Sequence, residues 1–192
     1  MDRFINNSGY EIPPYGLCAR GAINSVQDVP IWSAVQPTST FCRDFLVNGP
    51  VTVPNGAMGR CYTGPVVLVA YETGTPSIGD GYGAKPDQFT AAVNYPECLI
   101  CRGIYDSTNK IMWANLHIIE EVIGKLDGAL SQGGSATVSI WSGEGGSEVD
   151  TGINITAYDW LMKSGADDIA AGKKVLIRWI NGVPYVTEAE CP

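Results

Sequence analysis

Short apolar stretches broken by Gly, Pro, Asn or Ser fill most of this chain, and they predict strands. Strands are expected over residues 16–23, 31–36, 44–47, 57–62 and 66–71, then over 89–93, 98–105 and 111–115. Each is rich in Val, Ile or aromatics and is bounded by Gly, Pro, Asn or Ser. Asn6-Asn7-Ser8-Gly9 and Pro13-Pro14-Tyr15-Gly16 are turn clusters. One segment has a different period. Ile118, Ile119, Val122, Ile123, Leu126 and Leu130 recur at helical spacing, with Glu120, Glu121, Lys125 and Asp127 between them. This predicts a helix over 118–130, although Gly124 and Gly128 each weaken it by about 1 kcal/mol relative to Ala. Ser131-Gln132-Gly133-Gly134-Ser135 then ends it as a flexible link.

Beyond residue 135 a second set of strand patterns follows. Val138 and Ile140 alternate with Thr137 and Ser139, residues 153–158 form the next strand, and residues 159–164 suit a short helical turn. Asn181-Gly182 separates two apolar runs, 174–180 and 183–187. Asn-Gly there predicts a two-residue type I′ hairpin, because both turn positions need positive φ. Pro184 cannot donate to a ladder, so its strand is expected to begin there or to lie at an edge. The expected fold is mainly β. It consists of two small β-sandwich or β-barrel modules joined by a short helix: residues 1–117, the connecting helix and link 118–134, and residues 135–192. The last module is small enough to need a neighbour for its core.

Composition agrees with this picture. Of 192 residues, 45% are hydrophobic and only 17% charged, while 23 Gly and 12 Pro supply many turns. The net charge of −8 repels phosphate backbones and anionic membrane surfaces, so neither nucleic acid nor membrane is an expected partner. The apolar runs 65–71 and 111–119 are far too short to span a bilayer. Met1-Asp2-Arg3-Phe4 shows no secretory pattern. The chain is expected to be made in a cytosol, or to be carried elsewhere within a larger object. Accordingly Cys18, Cys42, Cys61, Cys98, Cys101 and Cys191 are read as mostly buried thiols.

Candidate chemistry is sparse. Cys98-Leu99-Ile100-Cys101 is a C-x-x-C, but its spacer is apolar, its context is a strand, and no second ligand pair exists. His117 is the sole histidine and has no catalytic signature around it. Gly79-Asp80-Gly81-Tyr82-Gly83 resembles a phosphate loop, but no strand leads in and Lys85-Pro86 blocks a following helix, so it is read as a plain loop. Asp80 lacks a spaced set of oxygen ligands. Glu120-Glu121 and Asp167-Asp168 read as solvated acidic pairs. Trp32, Trp113, Trp141, Trp160 and Trp179 fall mostly within strands, where core packing is the default and an interface role the alternative. No catalytic, cofactor-binding or metal-ligating residue is assigned, and no enzyme activity is expected.

Three stretches resemble structural proteins of tailed bacteriophages. They are Phe4-Ile5-Asn6-Asn7-Ser8-Gly9-Tyr10-Glu11-Ile12-Pro13-Pro14-Tyr15-Gly16, Leu46-Val47-Asn48-Gly49-Pro50, and Gly79-Asp80-Gly81-Tyr82-Gly83-Ala84-Lys85-Pro86. In the tail, Val149-Asp150-Thr151-Gly152, Ala171-Gly172-Lys173-Lys174-Val175 and Ala189-Glu190-Cys191 extend the resemblance. It implies a virion component assembled in the host cytoplasm. A capsid decoration (cement) protein bound to the major capsid protein comes first, and a tail, neck or fibre component second. A glycan-binding module or carbohydrate-active enzyme is the alternative from another class; an exposed aromatic platform or two facing carboxylates would mark it. The wide apolar arc of 118–130 further suggests a homo-oligomer, a trimer foremost, with that segment near the shared axis or packed between the modules.

Overall fold

A computed structural model of the chain describes residues 2–26, 29–38, 41–62, 64–143, 147–160 and 168–190. The chain is mainly β, with 58% strand, three sheets and no helix among the described residues. It divides into two compact units. Unit 1 is Met1–Thr38 with Cys42–Ile118, and unit 2 is Ser39–Phe41 with Ile119–Pro192.

Unit 1 holds ten strands. β1 (Asp2–Asn6), β2 (Leu17–Val26), β3 (Val29–Val35), β4 (Phe45–Asn48) and β5 (Met58–Tyr62) close into a barrel of order β1-β3-β2-β4-β5. β6 (Val66–Ala70), β7 (Gly81–Ala84), β8 (Ala91–Ala92), β9 (Glu97–Asp106) and β10 (Ile111–Leu116) form a second sheet, ordered β6-β10-β9-β7-β8. Phe4, Ile12, Cys18, Ala34, Leu46, Val53 and Cys61 fill one core, joined by Phe89 from the segment before β8. The Leu17 amide donates to the Phe89 carbonyl (2.8 Å), which ties the barrel to the sheet. Phe4 lies opposite Gly59 across the β1–β5 pair. A Cβ on Gly59 would sit 2.5 Å from the Phe4 ring and 2.8 Å from Val53 Cγ2, so the ring occupies the space a side chain would take.

Unit 2 is built on a closed barrel, β11-β12-β13-β15-β14. Its strands are β11 (Glu121–Leu126), β12 (Ser135–Ser142), β13 (Val149–Asp159), β14 (Lys174–Ile180) and β15 (Val183–Ala189). Val122, Leu126, Val138, Ile140, Ile153, Ala157, Val175, Ile177 and Val186 are its buried apolar side chains on these strands. This is a five-stranded closed barrel with one parallel pair, an architecture that by itself assigns no ligand.

Two expectations are corrected here. The helix expected over 118–130 does not form, and its middle is the strand β11: Val122, Gly124 and Leu126 are buried while Glu121 and Ile123 are exposed, a period of two. Positions four apart satisfy both periods, and β-branched Val and Ile favour the strand. Gly124 is required by close packing, since a Cβ there would meet Val138 Cγ1 at 2.4 Å and Ile177 Cδ1 at 2.8 Å. The glycine-rich loop is also partly a strand. Ser77–Asp80 is the turn, and Gly81–Ala84 is β7, paired with β8 and β9. Cβ atoms on Gly81 and Gly83 would collide with the Glu97 side chain (2.0 Å) and the Pro96 carbonyl (2.5 Å). Glycine there admits the neighbouring strand. Of the short helical turn expected at 159–164, Asp159 ends β13 and Trp160 follows it, while residues 161–164 lie outside the described residues.

The Asn181-Gly182 hairpin forms as its chemistry predicts, with φ of 51° and 82° and Ile180 paired to Val183. Pro184 pairs only with β14; the parallel pairing of β15 to β13 begins at Tyr185.

The two barrels have one cyclic order. Each contains one parallel pair, β1–β3 in the first and β13–β15 in the second. Read around the barrels, β4-β5-β1-β3-β2 matches β11-β12-β13-β15-β14, with the parallel pair in the same place. In strand order, the first barrel is a circular permutation of the second.

Candidate functional site

The described surface offers a groove and several aromatic faces. The groove, about 580 Å³, lies on unit 1 between the outer side of β1 and β5 and the 49–54 segment. Alternation along β5 turns Gly59 and Cys61 inward, leaving Met58 and Arg60 exposed and Tyr62 half-buried. On β1 the same alternation turns Phe4 and Asn6 inward and Arg3 outward. Arg3 and Arg60 are direct cross-strand partners. No carboxylate pairs with either guanidinium among the described residues.

Two buried asparagines fix the opposite wall. Asn48 Nδ2 donates to the carbonyls of Pro13 and Val51, each at 2.8 Å. Asn6 Nδ2 donates to the carbonyls of Tyr10 and Val53, each at 2.8 Å. Ile12 and Val53 exchange backbone hydrogen bonds at 2.9 Å, and the Gly49 amide donates to the Arg60 carbonyl at 2.8 Å. The wall is therefore held from three directions, and the groove is preformed.

None of the five Trp residues is fully buried, which corrects the default reading of core packing for the three that are exposed. Trp32, Trp113 and Trp160 are exposed, and Trp141 and Trp179 are half-buried. The Arg20 guanidinium stands 5.0 Å from the Trp32 ring centroid and pairs with Asp44 at 2.8 Å. Trp113 on β10 meets Tyr105 on β9 edge to face at 5.6 Å. In unit 2, Tyr185 lies 5.0 Å from Trp160 and 6.1 Å from Tyr158. Phe41 stacks on Trp179 at 4.8 Å within the same unit. Lys125 Nζ stands 5.3 Å from the Trp141 centroid.

The other candidates are not brought together. Cys98 and Cys101 are both fully buried in β9. Both are free thiols, and Cys98 sits at a register shift where β9 pairs with β7. Burial pushes the Cys98 thiol up to about 12 and the Cys61 thiol up to about 11, and raises Cys18 and Cys42 as well. Cys191 lies outside the described residues. His117 is exposed, and its amide donates to the Cys98 carbonyl. Asp80 Oδ2 accepts from the Ser77 amide at 2.8 Å and so holds its own turn. Lys85 is engaged by Glu72, whose hydrogen bond raises its pKa. Glu121 pairs across the strands with Arg178 at 2.8 Å. Glu120 and Asp168 are exposed, and Asp167 lies outside the described residues. Among the described residues, no group of three His, Cys, Asp or Glu side chains is placed to hold a metal ion.

Compared with known proteins, the chain matches no family model, no curated protein and no solved structure.

Proposed function

We propose that this chain is a structural virion protein of a tailed phage, acting as a decoration protein that binds and reinforces the assembled head. A tail, neck or fibre position is the other placement of the same reading. The observation that carries the binding role is the display of Trp32, Trp113, Tyr105 and Tyr158 on the outer faces of strands, each 40% exposed or more. Strands hold these rings rigidly. Tyr and Trp supply large contact areas at low entropic cost and are enriched at protein interfaces. A protein that binds only the closed lattice stabilises it by mass action. A homo-oligomer, with a trimer as the expected order, would raise the number of contacts per particle.

The test is add-back to heads assembled without the chain, from the phage whose genome encodes it. Saturable co-sedimentation and a higher temperature of head rupture are expected. Absence of the chain from purified virions, measured by mass spectrometry, overturns the reading.

One observation favours glycan binding as a second reading: the Trp160–Tyr185–Tyr158 cluster, an exposed aromatic group. Quenching or shift of Trp fluorescence by oligosaccharides, lost in Trp160→Ala, is the result that would support it.

A further inference from the structure

The Arg3–Arg60 pair is unusual in its setting. The chain carries 20 acidic and 12 basic residues, yet two arginines stand directly opposite each other and neither forms an ion pair with a carboxylate among the described residues. Like charges directly opposite in an antiparallel pair destabilise it. Either position would accept Gln or Thr on an outward face at no cost to the core. The pair also faces a groove whose remaining surface is largely apolar, with Pro50, Val51, Pro54 and Met58 among its lining. Val51 and Met58 are 68% and 53% exposed.

We propose that this groove binds an extended acidic segment of a partner protein, with Arg3 and Arg60 holding one of its carboxylates. Guanidinium forks bind carboxylates through paired, charge-assisted hydrogen bonds. The apolar rim receives the neighbouring side chains of the segment. The hydrogen bonds of Asn6 and Asn48 hold the 48–53 wall in place, so little ordering is needed on binding. A polyphosphate chain is a poorer match. It needs a basic track, whereas this site has two cations set in an acidic molecule. The inference rests on the assembly reading only in taking the partner to be a protein.

The probe is an array of end-capped ten-residue peptides, each made with Asp or Glu and again with Asn or Gln, together with a single-stranded oligonucleotide. Acidic peptides are expected to bind, and their amide twins about tenfold more weakly. Arg3→Gln and Arg60→Gln should each weaken binding by about tenfold. Each should also melt at or above the wild-type temperature, because a like-charge contact is removed. A merely structural pair would show lower melting in both variants. Binding that survives both substitutions overturns the proposal. So does preference for the oligonucleotide, or an array without acidic enrichment. The virion reading is tested separately by particle composition. A chain present in virions with no acidic-peptide binding defeats this inference alone, and a peptide-binding chain absent from virions defeats that reading alone.

Discussion

At the scale of single residues, burial governs the chemistry. Asn6 and Asn48 are buried polar side chains whose amide groups donate to backbone carbonyls, and Asn6 Oδ1 also accepts from the Ser8 amide and hydroxyl. They replace ladder bonds where the chain leaves β1 and β4. Cys98 is buried without polar relief sufficient to keep its thiol ordinary, and it is pushed from 9.0 up to about 12, chiefly by loss of water. The folded form therefore keeps this proton to higher pH than the unfolded form does. Its contribution is fully present below about pH 9 and is lost as pH rises toward 12. Urea midpoints of the wild type and Cys98→Ala should run parallel from pH 6 to about pH 8.5, then converge as the wild type alone loses this contribution. Lysine and tyrosine titration is common to both proteins and cancels in the difference. Curves that stay parallel to pH 11 would show that Cys98 does not keep its proton in the folded state.

At the scale of elements, legibility followed the number of periods a segment could satisfy. The Asn181-Gly182 hairpin was readable because two positive φ values demand those residue types. β7 was not, because its glycines carry no side chain to alternate; only the close approach of Glu97 and Pro96 explains them. β11 resembles a helix in sequence because Val122 and Leu126 lie four apart, which both periods allow; the weak signals for a strand are β-branching and Gly124. The groove was invisible as a motif. Arg3 and Arg60 become neighbours only through the closure of β1 on β5. In the sequence, only the charge of Arg60 beside the apolar Cys61 points it outward.

Because β11 is a strand with Val122 turned into the barrel of unit 2, residues 118–130 cannot form a helical oligomer seam. Val122 is 8% exposed and Ile123 is 39% exposed. Val122→Asp buries an unpaired charge and should cost more than about 3 kcal/mol. Ile123→Asp should cost about 1 kcal/mol, the span of strand preference. Chemical denaturation followed by Trp fluorescence separates the two. Equal costs would argue for the helical segment and against the strand.

At the scale of the whole molecule, the shared cyclic order has a consequence for where each barrel is closed. In unit 2 the strand matching β1 is β13, an interior strand of the chain, joined to β12 by a hairpin. In unit 1 that hairpin is missing, and β1 arrives as a separate segment pairing with β3 on one side and β5 on the other. Closure of the first barrel therefore depends on a short segment near residue 1, with Phe4 fully buried in the shared core and Asn6 bonded to the groove wall. Removing residues 1–6 opens two strand edges and empties the Phe4 site, which alone costs about 3–5 kcal/mol for a Phe to Ala change. The second barrel has its own core and its own closing pair, β11–β14. Calorimetry of the full chain is expected to resolve two transitions, one for each compact unit. Deleting residues 1–6 should abolish the transition of unit 1 and spare the other, while Val122→Asp should do the reverse. Hydrogen exchange assigns each loss, through protection at Val67, Leu99 and Met112 for unit 1 and at Val138, Ile140 and Ile177 for unit 2. If either change removes protection from both sets together, the units fold as one cooperative body, and the division into two autonomous barrels is wrong.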